Sequence, residues 1–296
     1  MKPGRLGSIF LFLYVYRMAQ SSVSHYSIKK VSADGLVDAD DVLAVEQPLE
    51  IRIKYGSPRS RVTKNISVTM RTPGDDRELA LGFLFTEGII SSIDQAKGLP
   101  QVATPFNDNM IVVELKEDVV FDIGKLERHF YTSSSCGVCG KASIAAVRTI
   151  QCAEDYPFDN LRTTAQAVYE LPDILNSRQE VFKTTGGLHA AALFDMQSNL
   201  LAVLEDVGRH NALDKLIGSQ LLSGAVPLNK HILLLSGRAS FELLQKAAVA
   251  GIKIVAAVGA PSSLAVQLAE EFNITLIGFL RENRFNVYCG MHRLIM

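Results

Sequence analysis

Apolar and polar residues alternate in the first part of the chain, over positions 25–71. The alternation is most regular in the runs 51–55 and 66–70, where every second residue is apolar. A period of two places these apolar side chains on one face of an extended segment. The pattern therefore predicts half-buried antiparallel strands in this region.

Helical signals begin after the sequence Arg-Thr-Pro-Gly-Asp-Asp at 71–76. Acidic residues followed by apolar residues at helical spacing predict a helix from Glu78 that ends at Gly88. A further strand is predicted over 110–115. A helix over 122–130 is predicted to lead into a loop that contains two cysteines.

A mostly polar segment, 153–165, is typical of a linker. Proline is favourable in the first turn of a helix, so Pro172 predicts a helix that starts there and continues to about Thr184. Gly186 and Gly187 then supply a glycine end to this helix.

The pattern changes after these glycines, because short apolar runs now alternate with helical periods. The polar turn at 195–199 between two apolar runs predicts a hairpin. Alternating strands and helices predict a mainly parallel sheet with helices on its faces, in which ligands bind beyond the carboxyl ends of the strands. The predicted strands are 190–194, 200–204, 231–235, 252–257 and 274–280, and the predicted helices are 209–217, 240–250 and 262–272.

The predicted fold class is α/β, or α+β for the chain as a whole, in two domains. Residues 1–24 form an N-terminal tail with no assigned function, whose apolar run at 9–16 is too short to span a bilayer. A strand-rich N-terminal domain over 25–165 ends in the cysteine loop and its helix. The alternating part forms a second domain over 166–296.

Composition narrows the class of protein. Of the 296 residues, 48% are hydrophobic and 21% are charged, as in soluble globular proteins. The formal net charge of −1 creates no global field that attracts nucleic acid, and no segment reaches membrane-spanning length, so neither partner is expected. Four cysteines in this length do not form a disulfide framework, which favours a reducing, cytoplasmic compartment.

Candidate sulfur chemistry lies in the segment 131–141, which runs Tyr-Thr-Ser-Ser-Ser-Cys-Gly-Val-Cys-Gly-Lys. Cys136 and Cys139 have Cys-x-x-Cys spacing, and the hydroxyl residues before them can cap a helix that the apolar run 142–147 continues. The backbone charge at a helix N-terminus favours a thiolate, and Lys141 adds a nearby cation. Two glycines leave the sulfurs accessible, so the loop suits the presentation of a reactive sulfur.

Several functions fit this cysteine pair. A structural zinc site needs four ligands, but Cys152 and Cys289 are isolated in the sequence and no His-x3-5-His follows, so zinc is disfavoured and no metal site is predicted. A thioredoxin-like redox pair needs a βαβ context near the start of a small domain, whereas this pair lies mid-chain. A persulfide-carrying thiolate also fits, as do two structural cysteines, although the glycine- and hydroxyl-rich setting argues against buried packing.

Four polar, glycine-rich junctions in the alternating part are candidates for binding an anion. They lie at 185–189, 205–211, 236–240 and 259–263. Gly and Ser let a phosphate approach backbone N–H groups at a helix start, and arginines supply charge-assisted donors. A site for an anion of phosphate or nucleotide size is therefore predicted at these junctions. His189 and His210 are each also compatible with a satisfied core histidine. The candidate residues are Gly187, His189, Asp206, Arg209, Ser236, Gly237, Arg238, Gly259 and Ser262.

Eight sequence blocks are long enough to be specific. They are Arg-Thr-Pro-Gly-Asp-Asp-Arg-Glu-Leu at 71–79, Thr-Glu-Gly-Ile-Ile at 86–90, Ser-Cys-Gly-Val-Cys-Gly-Lys at 135–141, Thr-Gly-Gly-Leu-His at 185–189, Glu-Asp-Val-Gly-Arg-His-Asn-Ala-Leu-Asp-Lys at 205–215, Leu-Ser-Gly-Arg-Ala-Ser at 235–240, Gly-Phe-Leu-Arg at 278–281 and Arg-Phe-Asn-Val-Tyr at 284–288. Together they resemble the FdhD/NarQ family, the formate dehydrogenase accessory sulfurtransferases. The resemblance covers nearly all of the chain beyond the N-terminal tail.

The resemblance implies a sulfurtransferase. It implies that sulfur passes from a cysteine desulfurase to the molybdenum cofactor, in its bis-molybdopterin guanine dinucleotide form, before insertion into formate dehydrogenase. Cys136, the first cysteine of the motif, would carry the persulfide, and Cys139 would assist its release or shield it. The four junctions would hold the guanine dinucleotide phosphates, and GDP or GTP would mimic them. A further cofactor-binding stretch is implied at Phe279, Leu280, Arg281, Glu282, Asn283 and Arg284.

The resemblance also implies partners and a more detailed fold. The expected partners are a cysteine desulfurase, the formate dehydrogenase apoenzyme and a second copy of the chain in a homodimer. The C-terminal domain is expected to be a cytidine-deaminase-like three-layer domain beside the smaller N-terminal one. The deaminase zinc motif is nevertheless absent, since His189 is followed by Ala190 and Ala191 and the cysteine pair precedes it. The alternative function is a non-catalytic cofactor chaperone with a Cys-x-x-Cys metal or redox pair.

Overall fold

A computed structural model describes residues 21–104, 107–119 and 160–296. The predicted helix over 122–130, the cysteine segment 131–141 and Cys152 lie outside these residues, as does most of the predicted linker. The described part has a mixed α/β fold with six α-helices, which confirms the predicted class at this level. No helix in the described ranges is both long and apolar enough to cross a membrane.

Six strands form the described N-terminal part. They are β1 Val23–Ser32, β2 Gly35–Ala44, β3 Gln47–Tyr55, β4 Val62–Arg71, β5 Gln101–Thr104 and β6 Asn107–Glu114. Strands β1 and β2 pair as a separate two-stranded ribbon, and the others form a sheet in the order β4–β3–β6–β5. The predicted antiparallel pairing is confirmed for β3 with β4, and β6 adds a parallel partner to β3.

Strand β4 departs from the simple alternation that the sequence indicates. The pairing register shifts between Ile51 and Arg52 of β3, which leaves Ile66 of β4 as an extra residue in a β-bulge. Ile66 is buried, whereas Val68 and Met70 are exposed. The predicted apolar face of this strand is therefore interrupted, because the residues after the bulge follow the opposite alternation.

Six strands form the larger, C-terminal sheet. They are β8 His189–Phe194, β9 Leu200–Asp206, β10 Ile232–Leu235, β11 Ile254–Ala257, β12 Thr275–Arg281 and β13 Arg284–Cys289, in the order β13–β12–β11–β10–β8–β9. A short pair, β7 (Thr163–Thr164) with β14 (Leu294–Ile295), lies apart from this sheet.

The C-terminal sheet is mixed, so the prediction of a mainly parallel sheet is wrong. Only the β10–β11 and β11–β12 pairs are parallel, and β10 is antiparallel to its other neighbour, β8. The β8–β9 and β12–β13 pairs are antiparallel because short turns join them, and such turns cannot connect parallel strands. Strand β13 was not predicted from the sequence, although the five other strands were.

Six α-helices accompany these sheets. They are α1 Asp76–Thr86, α2 Ala165–Arg178, α3 Glu180–Thr185, α4 Arg209–Leu222, α5 Phe241–Val249 and α6 Ser263–Glu271. Helix α1 starts two residues before the predicted Glu78, and Gly88 after it has a φ of 71°, a left-handed conformation that favours glycine.

Helix α2 corrects the predicted helix start at Pro172. The hydroxyl of Thr164 accepts a hydrogen bond from the N–H of Ala167 at 3.1 Å and caps the helix, so Pro172 lies in the helix interior. Val168 and Leu171 are fully buried in this helix. Their packing against the sheet offsets the missing proline N–H, whose cost had favoured a start at Pro172.

Buried side chains on both faces of the C-terminal sheet define its layers. One core contains Leu193, Leu233 and Val255 of the sheet together with buried residues of α1, α4, α5 and α6. A second core contains Phe194 and Leu234 on the opposite face together with buried residues of α2. The sheet thus lies between α2 on one face and α1, α4, α5 and α6 on the other. The cytidine-deaminase-like layering and the domain limits stay predictions.

Helices α1 and α4 cross at two glycines. A Cβ built on Gly82 would lie 1.9 Å from the carbonyl oxygen of Asp214, and one built on Gly218 would lie 1.9 Å from that of Glu78. Any side chain larger than hydrogen would therefore collide with the backbone of the other helix. This crossing fixes the N-terminal sheet, through α1, against the helix that begins at the candidate site.

A buried ion pair lies beside the crossing. Lys246 Nζ is 3.0 and 2.9 Å from the two carboxylate oxygens of Asp214, and the hydroxyl of Thr86 donates to the same carboxylate at 2.8 Å. Burial raises the pKa of Asp214. Burial acts to lower the pKa of Lys246, but the Asp214 and Glu87 carboxylates raise it above its ordinary value. The short contacts of Lys246 Nζ to both carboxylate oxygens indicate that Lys246 and Asp214 form an ion pair.

Candidate functional site

The predicted junctions meet at one edge of the C-terminal sheet. His189 starts β8 directly opposite Asp206, the last residue of β9. Strands β10 and β11 end side by side at Leu235 and Ala257, and β12 ends at this edge before it turns into β13. The order of the strands in the sheet thus brings together junctions that are far apart in the sequence.

A cleft of about 580 Å³ opens at this edge. Its volume falls within the roughly 300–1,000 Å³ of typical ligand sites. The predicted residues that line it are Gly187, His189, Ser236, Leu280, Arg281 and Glu282. Gly186 and Leu188 of the predicted junction 185–189 also line it. The lining residues that were not predicted are Pro172, Asp173, Leu175, Asn176, Gln179, Phe182 and Val258. Most of the latter belong to α2 and α3, whose sequence carries only the period of an ordinary amphipathic helix.

The sheet side of the cleft is fixed by backbone hydrogen bonds. The hydroxyl of Ser236 accepts a hydrogen bond from the N–H of Ala190 at 2.8 Å. Arg281 Nη1 donates to the carbonyls of Val258 and Leu280 at 2.8 and 2.9 Å. The guanidinium is therefore held at the cleft, next to apolar side chains that line it.

His189 lies between the cleft and the loop after β10. A Cβ built on Gly237 would be 3.4 Å from His189 Nδ1, an ordinary van der Waals distance, so the imidazole packs beside this glycine. Burial lowers the pKa of His189, the charge of Arg209 lowers it further, and Asp206 acts in the opposite direction. The imidazole is thus neutral at neutral pH and offers one donor and one acceptor.

Asp206 has a structural role at this edge of the sheet, and its predicted contact with a ligand stays a prediction. It is fully buried, and one carboxylate oxygen accepts from the N–H of Gly208 at 2.8 Å and from Asn211 Nδ2 at 3.0 Å. The other accepts from the N–H of Thr72 at 3.1 Å and lies 2.8 Å from Lys215 Nζ. Four protein donors occupy both oxygens, so Asp206 positions the start of α4.

The remaining predicted residues of the junctions do not line the cleft. Ser262 caps α6 by accepting a hydrogen bond from the N–H of Ala265 at 3.2 Å. The N–H of Gly259 donates to the carbonyl of Gly237 at 2.9 Å, and a Cβ on Gly259 would be 3.0 Å from the backbone of Arg238. These residues therefore bring two loops together, while the side chain of Arg238 is exposed.

The stretch 279–284 comprises the end of β12, the two-residue turn 282–283 and the first residue of β13. Leu280, Arg281 and Glu282 line the cleft, whereas Asn283 and Arg284 are exposed beyond its lining. Phe279 is 44% exposed and has a left-handed φ of 52°. The hairpin thus contributes one side of the cleft with its central residues.

The first turn of α4 carries Arg209 and His210 on the other side of this edge. Arg209 Nε and His210 Nε2 are buried and have no hydrogen-bond partner among the described residues. The nearest carboxylate oxygen of Glu242 lies 3.9 Å from His210 Nε2. Burial lowers the pKa of His210 to about 4, and the charges of Lys246 and Arg209 contribute, so the imidazole is neutral at neutral pH.

Cys289 is a cysteine whose surroundings the structure describes, whereas Cys136 and Cys139 lie outside the described residues. Cys289 Sγ donates to the carbonyl of Ile274 at 3.1 Å, and burial raises the pKa of its thiol. Cys289 is therefore a packed, protonated thiol. Within residues 21–104, 107–119 and 160–296 no three His, Cys, Asp or Glu side chains are placed to hold a metal ion.

Comparisons with known proteins give consistent results. A model of the FdhD/NarQ family matches residues 44–295. Sulfur carrier protein FdhD of Streptomyces avermitilis is 49% identical over 271 residues, which are 89% of this chain and 93% of the relative. The protein of the same name from Sulfurisphaera tokodaii is 41% identical over 273 residues, which are 92% of this chain and 99% of the relative.

The fold is also found among solved structures, one of which is similar over nearly its whole length. It is described as a formate dehydrogenase accessory protein from Desulfotalea psychrophila, and the two structures align with a TM-score of 0.72 at 23% sequence identity. The alignment covers 93% of this chain and 100% of the other.

Proposed function

The chain belongs to the FdhD/NarQ family, as its sequence blocks predicted, and from this membership we propose that it is a sulfur carrier in the maturation of formate dehydrogenase. The observation that carries the proposal is the extent of the match. The family model spans residues 44–295, which include both the cysteine segment and the sheet-edge cleft. Relatives named sulfur carrier protein FdhD are 41% and 49% identical to the chain.

The proposed sulfur transfer starts at Cys136. Its thiolate attacks the outer sulfur of a persulfide on the cysteine desulfurase. The sulfur–sulfur bond of the donor breaks, the donor cysteine leaves as a thiolate, and a persulfide forms on Cys136. Thiolate character controls this exchange, and both the helix N-terminus and Lys141 predicted from the sequence favour it.

Release of the sulfur is assigned to Cys139. Its thiolate attacks Sγ of Cys136, so that the outer sulfur leaves as sulfide and a Cys136–Cys139 disulfide remains. A cellular dithiol then reduces this disulfide and restores the carrier. The acceptor of the sulfur is the molybdenum cofactor in its bis-molybdopterin guanine dinucleotide form, which is the cargo of the reaction.

The cleft supports binding of one nucleotide arm of this cargo. Its volume of about 580 Å³ suits a single nucleotide, so the rest of the cofactor would extend beyond it. Arg281 supplies a fixed cation for a phosphate, and Gly187 exposes backbone without a side chain. Neutral His189 supplies a hydrogen bond without a charge.

The remaining expectations belong to the same proposal. The partners are a cysteine desulfurase and the formate dehydrogenase apoenzyme, and the carrier is a cytoplasmic homodimer. The C-terminal part is proposed to have the cytidine-deaminase-like arrangement without the deaminase zinc motif.

Intact-mass measurement after incubation with a cysteine desulfurase and cysteine tests the sulfur-carrier function. The wild type should gain one sulfur on the peptide that contains Cys136, and Cys136→Ala should gain none. Cys139→Ala should still load sulfur but release less sulfide. Loading that persists unchanged in Cys136→Ala would contradict the role of Cys136. A wild type that never loads sulfur would favour the non-catalytic chaperone.

Titration with GDP tests the cleft separately. Arg281→Ala should weaken GDP binding about ten- to a hundredfold, because it removes a charge-assisted phosphate contact of about 1.5–3 kcal/mol. Arg178→Ala, on an exposed part of α2 outside the lining, is the matched control. Arg238→Ala and Arg284→Ala should have smaller effects, since neither residue lines the cleft. Equal affinity of the wild type and Arg281→Ala would place the phosphates elsewhere.

A further inference from the structure

Apolar side chains form an exposed patch beside the β12–β13 hairpin. Its members are Pro261, Leu264, Phe279 and Tyr288, here named the hairpin patch. Leu264 is 41% exposed, Phe279 is 44% exposed and Tyr288 is 36% exposed, whereas Pro261 is half-buried between them and the sheet. Exposed apolar side chains that lie together mark a surface for binding another molecule.

Gly278 brings the members of the hairpin patch together. A Cβ built on this glycine would lie 2.8 Å from Cδ of Pro261 and 3.0 Å from Cε2 of Tyr288. Both rings therefore pack over the bare backbone of Gly278, and a larger residue would push them apart. Leu264 follows Pro261 in the first turn of α6, and Phe279 follows Gly278 in β12. The patch is thus built from two elements that meet at one glycine.

Phe279 has an unfavourable backbone conformation although its ring is in solvent. Its φ of 52° is left-handed, which is costly for a residue that has a Cβ. The pairing of β12 with β13 is irregular between Gly278 and Arg281, and the N–H of Phe279 donates to the carbonyl of Gly259 at 3.1 Å. An exposed ring adds little to the core, so core packing gives no reason for this conformation. Such residues cluster at functional sites.

Positive charge lies along the side of the hairpin patch that faces the cleft. Arg238 and Arg284 are both exposed there. A Cβ built on Gly259 would lie 3.0 Å from Cγ of Arg238, and the carbonyl of the same glycine accepts from Phe279. Glu282, in the turn, offsets only one of these charges, and the two glutamates that end α6 lie about 10 Å farther along that helix. The patch therefore suits a partner surface that carries carboxylates.

We propose that the hairpin patch docks the formate dehydrogenase apoenzyme, through a surface on that enzyme that combines apolar and acidic side chains. The inference rests on the proposed function, in which this apoenzyme receives the cargo. Leu280 and Arg281 of the same hairpin line the cleft, so a protein seated on the patch lies beside the cleft opening. Aromatic side chains and arginines are enriched at the centres of protein interfaces, as they are in this patch and along its edge.

Biolayer interferometry between the full-length chain and purified apoenzyme, prepared in cells that lack this chain, tests the docking surface. Tyr288→Ser and Leu264→Gln should each weaken binding about tenfold, as expected for side chains at the centre of an interface. Phe279→Asn should weaken binding by a similar factor. This variant should unfold at the same temperature as the wild type or a higher one, because asparagine adopts the left-handed conformation more readily than phenylalanine.

Matched variants separate docking from general effects of surface changes. Leu201→Gln and Tyr26→Ser remove side chains that are 51% and 52% exposed on other surfaces, and both should leave the affinity for the apoenzyme unchanged. Tyr288→Ser and Leu264→Gln should leave sulfur loading and GDP binding unchanged, since neither residue lines the cleft. Arg284→Gln should slow association with the apoenzyme and make it less dependent on salt, because the arginine attracts the acidic surface.

Failure of the docking surface and failure of the proposed function give different results. A wild type that loads sulfur on Cys136 but does not bind the apoenzyme, or that binds it no more tightly than Tyr288→Ser and Leu264→Gln do, overturns the docking surface alone. Sedimentation that shows a dimeric wild type and monomeric variants would instead assign the patch to a contact between two copies of the chain. A wild type that loads no sulfur, measured by intact mass, contradicts the carrier function itself.

Discussion

Replacement of Gly218 by alanine should destabilise the contact between the two parts of the molecule. Built on the present backbone, the new Cβ lies 1.9 Å from the carbonyl oxygen of Glu78 and 2.7 Å from its carbon. An ordinary contact of this kind begins near 3.4 Å. Helices α1 and α4 must therefore move apart by roughly 1.5 Å, since close-packed interiors leave no space for the methyl group.

The expected loss is about 3 kcal/mol in the free energy of unfolding. Overpacking of a core costs about 1–3 kcal/mol. Separation of the helices also stretches the 2.8 Å hydrogen bond from Thr86 to buried Asp214. A compromised buried hydrogen bond adds about 1–3 kcal/mol. Alanine has a higher helix propensity than glycine, which offsets about 1 kcal/mol of this loss.

Urea unfolding followed by far-ultraviolet circular dichroism measures the change. Ser219→Ala, at the next position of the same helix, is the control and should stay within about 0.5 kcal/mol of the wild type. Gly82→Ala should be as costly as Gly218→Ala, and the double variant should cost less than the sum because both changes separate the same helices. A Gly218→Ala protein as stable as the Ser219→Ala control would refute the close crossing.

Three further predictions concern titratable groups. The pKa of His210 is lowered to about 4 in the folded protein, against about 6.5 in the unfolded chain. The unfolded state therefore binds more protons below pH 6.5, and the free energy of unfolding decreases toward pH 4. Denaturant unfolding should show a loss of about 2 kcal/mol between pH 7.5 and pH 5, and His210→Gln should remove this loss. Lys246→Met should lower the free energy of unfolding by about 3–5 kcal/mol, because it leaves Asp214 without its ionic partner. The double variant Lys246→Met with Asp214→Leu should recover most of this loss in denaturant unfolding. A single variant no less stable than the double variant would contradict the ion pair. Cys289→Ala should leave persulfide loading unchanged by intact mass, because the Cys289 thiol is packed and protonated; reduced loading would give Cys289 a part in the transfer.

The features that depend on local chemistry could be predicted from the amino-acid sequence alone. Alternation of apolar runs identified five of the six strands of the C-terminal sheet, and glycine-rich junctions marked the edge at which they end. The Gly186 end of α3 followed from the same local rule, because the left-handed backbone there, with a φ of 66°, favours glycine. The Cys136–Cys139 spacing and the long sequence blocks identified the family, since these depend on residue identity alone.

The contacts that these residues make, in contrast, depend on the assembled fold. Asp206 and Arg281 are both charged residues at strand ends, yet four donors enclose the first while the second faces a cleft. Pro172 signals a helix start, but burial of Val168 and Leu171 against the sheet extends the helix before it. Gln179 carries no sequence signal, because its burial at the cleft arises from residues distant in the chain. Burial and hydrogen-bond saturation are properties of the assembled fold, and local pattern cannot specify them.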